Sequence, residues 1–123
     1  MAHKILLVED DIFILELYKR ELLKAGYELD TCANGVDAIK LVDEKDYDLI
    51  MLDIMIPGRD GIAVLTEIKK NPKKKNTKVI MLTNLGQDDI IKKTQEIGAE
   101  GYLVKADYNP YQILDEVKKY LDS

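Results

Sequence analysis

The chain carries a single cysteine in 123 residues, so no disulfide can close within it. Cys32 sits in an apolar, β-rich stretch and is expected to be a small buried hydrophobe, compatible with a reducing cytoplasm. There is no charged-then-apolar leader ending in small residues, and no apolar run approaches the roughly 18 residues of a membrane span. The expectation is a cytoplasmic protein. Basic charge is also in short supply, with 18 Lys and Arg against 23 Asp and Glu and a net charge of −5. Unaided binding to nucleic acid or membrane needs a basic footprint, so neither is expected. A basic partner or a metal cation suits the charge better. No repeat, linker or low-complexity tract interrupts the sequence. With 46% hydrophobic residues, the chain can close one core and is too short for two ordinary domains, so residues 1–123 are read as one domain.

What is present is an alternation of two patterns. Short runs of Ile, Leu and Val at Ile5–Val8, Leu49–Leu52 and Val79–Leu82 lack polar alternation and are too short for helices. They read as strands buried on both faces. Between them, apolar residues recur at helical spacing, as in Ile14, Leu15, Tyr18, Leu22 and in Val36, Ile39, Val42. Further strands are expected at Tyr27–Cys32 and Gly101–Val104, and further helices near Gly61–Lys70, Asp88–Ile97 and Pro110–Leu121. Gly26 and Gly98 suit positions just past a helix, Asn34 a helix start and Pro110 a first turn. Five strands alternating with five helices specify an α/β fold, a doubly wound parallel sheet with helices on both faces. The lysine run at Lys69–Lys70, Lys73–Lys75 and Lys78 surrounds Pro72 and reads as a solvated connection.

Open parallel sheets bind ligands beyond the carboxyl ends of their strands. There the sequence places Glu9, Asp10 and Asp11 after strand one, Asp53 after strand three, Thr83 after strand four and Lys105 after strand five. Clustered carboxylates repel unless a cation neutralises them, and hard oxygen ligands suit Mg²⁺. Lys105 and the Thr83 hydroxyl can then hold phosphoryl oxygens, and the Asp53 carboxylate can attack phosphorus. Each residue taken singly has a structural reading as a cap, a strand end or a surface lysine. Four strand ends that each supply what phosphoryl transfer needs favour the joint one.

Four motifs carry a resemblance: Ile5-Leu-Leu-Val-Glu-Asp-Asp11, Asp48-Leu-Ile-Met-Leu-Asp-Ile-Met-Ile-Pro-Gly-Arg-Asp-Gly61, Val79-Ile-Met-Leu-Thr83 and Gly98-Ala-Glu-Gly-Tyr-Leu-Val-Lys105. Together they resemble the receiver domains of two-component response regulators over nearly the whole chain. The resemblance implies a flavodoxin-like sheet of strand order 2-1-3-4-5. It implies Glu9 and Asp10 as an acidic metal pair for Mg²⁺ or Mn²⁺, with Asp53 as phosphoacceptor and the Met55 backbone carbonyl completing the metal shell. Asp11 then falls at a helix start. Thr83 matches the switch hydroxyl, Lys105 the lysine that pairs with the phosphoryl group, and Tyr102, which alone would read as core packing, the aromatic that turns inward with Thr83. The implied phosphodonor is a histidine kinase or phosphotransfer protein. His3, before strand one, lies on the wrong edge to serve. The implied output face comprises Gln87–Ile97, Gly101–Val104 and Pro110–Leu121. It would meet an unidentified output protein, a missing output domain, or a second phosphorylated copy.

Two departures from the family pattern matter. Ala106 follows Lys105 where the family usually has proline, and a cis bond without proline costs ~3–4 kcal/mol, so a trans bond and a differently shaped loop are expected. Asn84 follows Thr83 where a small alanine is common, narrowing access. Met55 and Leu85 flank the path of an attacking water by the same resemblance. Neither side chain can orient water, so slow self-dephosphorylation is expected. Rival readings are an aspartyl-nucleophile phosphatase, for which the chain has no length for a cap domain, and a flavin or nucleotide binder, whose phosphate loop Glu9-Asp10-Asp11 opposes in charge. A receiver that only docks partners is the third.

Overall fold

The computed structural model describes residues 2–84 and 88–122. Five strands, β1 (Lys4–Val8), β2 (Glu28–Cys32), β3 (Leu49–Asp53), β4 (Lys78–Thr83) and β5 (Gly101–Val104), alternate with helices α1 (Ile12–Lys24), α2 (Gly35–Glu44), α3 (Gly61–Lys70), α4 (Asp88–Ile97) and α5 (Pro110–Asp122). All strand pairs are parallel and the order is β2-β1-β3-β4-β5. The α/β doubly wound sheet expected from the alternation is therefore the fold.

The apolar runs have no polar alternation because both faces of the sheet are covered. Successive residues of each strand point to opposite faces. Ile5, Leu7, Leu49, Met51, Ile80, Leu82 and Leu103 pack with Leu15, Tyr18 and Leu22 of α1 and Ile113 and Val117 of α5. Leu6, Val8, Ile50, Leu52, Val79 and Met81 pack with Ala38 and Val42 of α2 and Val64, Leu65 and Ile68 of α3. Burial of one such aliphatic side chain is worth about 1.5–3 kcal/mol, so a core on each face locks the register of β1, β3 and β4.

Helix ends follow local chemistry. The Asp11 carboxylate accepts from the backbone N–H of Phe13 and Ile14, Asn34 accepts from Asp37, and Asp60 accepts from Ala63. Each satisfies donors that a first turn leaves open. Gly26, at φ +90, and Gly98, at φ +126, close α1 and α4 in the left-handed region. The N–H of Ala99 reaches the Thr94 carbonyl and that of Tyr27 the Leu22 carbonyl, completing the six-to-one bond of each turn.

Two expectations are corrected. Cys32 is only partly buried, since β2 is an edge strand and its residues lack a neighbour on one side. Burial is nonetheless enough to push its thiol up to about 11, against the opposing hydrogen bond with Asn34. The lysine run is not simply a solvated connection. Lys69 donates to the carbonyls of Lys75 and Thr77, at 3.1 and 2.8 Å, and pairs with Glu100 at 2.9 Å. Lys74, nearly buried, donates to the Lys45 carbonyl at 3.0 Å and to Asp46 at 2.6 Å. Long methylene stems cross apolar surface while the ammonium finds carbonyls that the loops leave unpaired.

Lys69→Met should therefore lower unfolding free energy by about 1–3 kcal/mol, because it strands acceptors that are partly shielded from water. Lys73→Met, at an exposed position of the same run, should stay within about 0.5 kcal/mol. Urea denaturation of the two variants measures the difference, and equal effects would return the run to a solvated loop.

Candidate functional site

Strand register builds the site. Val8 pairs with Leu52, Asp53 with Leu82, and Thr83 with Val104, so the residues at or just past these ends form one row along the carboxyl edge. Alternation then selects which side chains converge. Ile5, Leu7 and then Glu9, Leu49, Met51 and then Asp53, and Leu103 and then Lys105 each continue the series that faces α1 and α5. Thr83 continues the opposite series. It ends β4 and is 9% exposed.

Lys105 Nζ lies 2.8 Å from Asp53 Oδ2 and 2.5 Å from Glu9 Oε2, with all three residues buried. Burial pulls the Lys105 ammonium down, but the hydrogen bonds and charges of Asp53 and Glu9 outweigh it and hold it above the usual lysine range. Glu9 shows the opposite balance. Burial dominates and raises its carboxyl to about 7, despite the Lys105 ammonium and the Asp11 N–H pulling it down. Asp53 Oδ1 accepts from the backbone N–H of Met55 at 3.1 Å, and Glu9 Oε1 from that of Asp11 at 3.0 Å. Each acid is thereby oriented by the loop that follows its own strand.

Asp10 is exposed and joins the pair from above, and oxygens of Glu9, Asp10 and Asp53 lie within 4.8 Å of one another. Three carboxylates face one ammonium, leaving negative charge uncompensated. Glu9 Oε2 is buried, and although it touches Lys105 it has no hydrogen bond of acceptable geometry. An all-oxygen donor set with one orphaned buried oxygen fits a hard divalent cation.

The loop after β3 is pinned by two glycines that sequence reading did not single out as close approaches. A Cβ at Gly61 would overlap the backbone of Asp53 and Ile54, and one at Gly35 the Arg59 backbone. Gly35 N–H also donates to the Pro57 carbonyl at 3.1 Å. The Gly35 contact joins segments far apart in sequence, and the Gly61 contact depends on how the loop after β3 turns back on its own strand. Tyr18 of α1 was likewise read only as core. Burial raises its hydroxyl above the usual range, with Glu9 and Asp53 reinforcing and Lys105 opposing.

The remaining expected residues fall as follows. Asp11 caps α1. Tyr102 is 38% exposed and is not core packing. The Met55 side chain, 75% exposed, stands clear of the packed interior. Asn84 is exposed, while Leu85 and Gln87 lie outside the described residues. Lys105–Asp107 form a 3₁₀ turn, and among the described residues no peptide bond is cis, so Lys105–Ala106 is trans as the absence of proline implied. Lys105 meets Asp53 regardless. His3 sits at the opposite edge, 3.7 Å from Asp48.

A doubly wound sheet with buried Asp53, Glu9 and Lys105 at its carboxyl edge defines a class of phosphoryl-handling α/β domains. The family model of the response regulator receiver domain matches residues 5–118, and the chain belongs to that family, whose members are phosphorylation-type switches of two-component signalling. It is 38% identical to Chemotaxis protein CheY of Halobacterium salinarum over 98% of both chains. It is also 38% identical to Sporulation initiation phosphotransferase F of Bacillus subtilis, over 98% of this chain and 95% of that one. Among solved structures, the chemotaxis response regulator CheY4 of Vibrio cholerae superimposes with a TM-score of 0.91 at 28% identity, covering 98% of this chain and 99% of that one. Among the described residues, no helix is long and apolar enough to cross a membrane.

The raised Glu9 carboxyl has a signed consequence for the metal-free protein. Between its ordinary value of 4.5 and about 7 the folded state binds more protons than the unfolded state, so Glu9's contribution to stability falls as pH rises through that window. In chelator, Glu9→Gln should flatten this decline and melt higher than the parent at pH 7.5. Thermal unfolding from pH 5 to 8 measures it, and a steeper decline in the variant would contradict the assignment.

Proposed function

We propose that the chain is a phosphorylatable receiver that takes a phosphoryl group from phosphohistidine onto Asp53 in a Mg²⁺-dependent reaction. The observation that carries this reading is the buried contact of Lys105 with both Asp53 and Glu9. A docking-only receiver would have no use for two buried acids held around one lysine, an arrangement that costs desolvation unless function recovers it.

Glu9, Asp10, Asp53 and the Met55 carbonyl would hold the cation, which when bound neutralises the acids and polarises phosphoryl oxygens. The Asp53 oxygen approaches phosphorus in line. The new O–P bond forms as the P–N bond of the donor breaks, and the histidine nitrogen leaves with the electron pair and takes up a proton. Lys105 shifts from carboxylate to phosphoryl oxygen, since the new group offers it more negative charge at the same place. Thr83, one residue beyond the Asp53–Leu82 pair, closes on another phosphoryl oxygen. Its movement frees space for Tyr102, which is 38% exposed and pairs with Met81 two residues before Thr83, so that the two act as one two-state element. The α4–β5–α5 face would then meet the output partner. The protein works as a switch on cytoplasmic donors rather than as a turnover enzyme, and residues 1–123 act as one domain.

Acetyl phosphate with Mg²⁺ should add one phosphoryl group, about 80 Da by mass spectrometry and therefore within the usual scale of such a modification. Asp53→Asn should abolish it, and unchanged uptake would remove Asp53 from the role. Asp10→Asn should raise the Mg²⁺ dissociation constant about 10-fold or more and slow phosphorylation in parallel.

Lifetime of the phosphoryl group depends on water. The Met55 thioether, 75% exposed, has no group to orient a nucleophile, so self-dephosphorylation is slow for want of positioning. Met55→Asn, alone and with Leu85→Glu, should speed phosphate loss after donor removal, by roughly 10-fold for a positioned water. Decay no faster than the parent in the double variant would discard this reading.

A further inference from the structure

On its inner side α1 takes one hydroxyl into the core. The other buried members of that core are aliphatic, apart from the thioether of Met51, whereas Tyr18 carries a phenol and is only 6% exposed. Taking a hydroxyl out of water costs free energy unless a partner receives it, and a buried tyrosine ordinarily has one. Among the described residues the Tyr18 hydroxyl makes no hydrogen bond. Packing accounts for the ring and leaves the hydroxyl unexplained.

Helix geometry directs it toward the carboxyl edge of the sheet. α1 starts at Ile12, directly after Glu9, Asp10 and Asp11, and Tyr18 lies roughly 9 Å further along the axis. Long side chains on a helix lean back toward its N-terminus, which here is the end at the site. The core that Tyr18 enters also finishes at that edge. Leu7, Met51 and Leu103 belong to it, and they stand two residues before Glu9, Asp53 and Lys105 on the same side of the sheet. Burial raises the hydroxyl and keeps it protonated, and the charges that act on it are those of Lys105, Glu9 and Asp53.

Glu9 Oε2 is the complement of this donor, a buried acceptor that has no hydrogen bond. While Lys105 lies against Glu9, the ammonium compensates its charge. A phosphoryl group on Asp53 that draws Lys105 away leaves Glu9 Oε2 as a buried charge without its cation, which is costly. Glu9 Oε1 already accepts from the Asp11 N–H. Among the buried residues of this core, Tyr18 alone offers a donor. We propose that Tyr18 is a positioning residue of the phosphoacceptor site, whose hydroxyl donates to Glu9 Oε2 once Lys105 turns to the phosphoryl group and so favours the loaded arrangement over the resting one. A carboxylate oxygen has more than one lone pair, so this bond leaves Glu9 able to face a cation. The inference rests on Asp53 as phosphoacceptor and adds the residue that replaces the departing lysine.

The test uses the full chain with Mg²⁺ and beryllofluoride, which takes the place of a phosphoryl group on an aspartate. Tyr18→Phe removes the hydroxyl and keeps the ring. It should bind beryllofluoride about 10-fold more weakly than the parent, the loss expected for one hydrogen bond to a charged group. Its urea midpoint without beryllofluoride should stay that of the parent, because the resting hydroxyl has no partner to lose. With tyrosine isotopically labelled at Cζ, the NMR signal missing from Tyr18→Phe identifies Tyr18. That signal should move when the parent takes up beryllofluoride, as the hydroxyl gains an acceptor. Equal affinity in variant and parent overturns the inference, as does a Tyr18 signal that beryllofluoride leaves in place. A variant whose urea midpoint falls together with its affinity overturns it as well, since the hydroxyl then serves the resting fold. Failure of the underlying reading looks different: a parent that takes up neither beryllofluoride nor phosphate at Asp53 overturns both.

Discussion

Everything at the carboxyl edge depends on the buried meeting of Lys105 with Glu9 and Asp53. One cation between two acids is an unstable compromise in a protein interior. The lysine cannot satisfy both carboxylates fully, and burial leaves Glu9 with a carboxyl near 7 and an oxygen lacking a proper donor. The site thus holds surplus negative charge around a single buried ammonium, which a hard cation would neutralise.

The rigid sheet makes that tension tolerable. The strands β1, β3 and β4 are anchored on both faces by aliphatic packing, so the ends that carry Glu9 and Asp53 cannot retreat to relieve the repulsion. The same alternation that sorts Ile5 and Leu7, or Leu49 and Met51, toward α1 and α5 carries Glu9 and Asp53 to that side. Core packing and site assembly are therefore one pattern read to different lengths along each strand. The tight approach of Gly61 to the Asp53 backbone, and of Gly35 to Arg59, extends this rigidity into the loop beyond β3.

The other residues of the site lie outside this buried triad. Tyr102 and Met55 are exposed, and Thr83 ends its strand on the opposite side-chain series from the acids.

Periodicity, capping residues and strand-end chemistry in the sequence determined the class of fold, most element boundaries and the acids, hydroxyl and lysine worth watching, because these are local properties with a fixed repeat. Their limits are equally physical. Lys69 and Lys74 read as solvated because nothing local reveals the distant carbonyls and acids that bind them. Cys32 read as buried from the apolar stretch around it, although the strand order that the resemblance implied already put β2 at the edge of the sheet. Tertiary structure alone decided that Lys105 touches Glu9 as well as Asp53 and that Glu9 is the acid left strained. Each is a relation between segments brought together only when both faces of the sheet are closed.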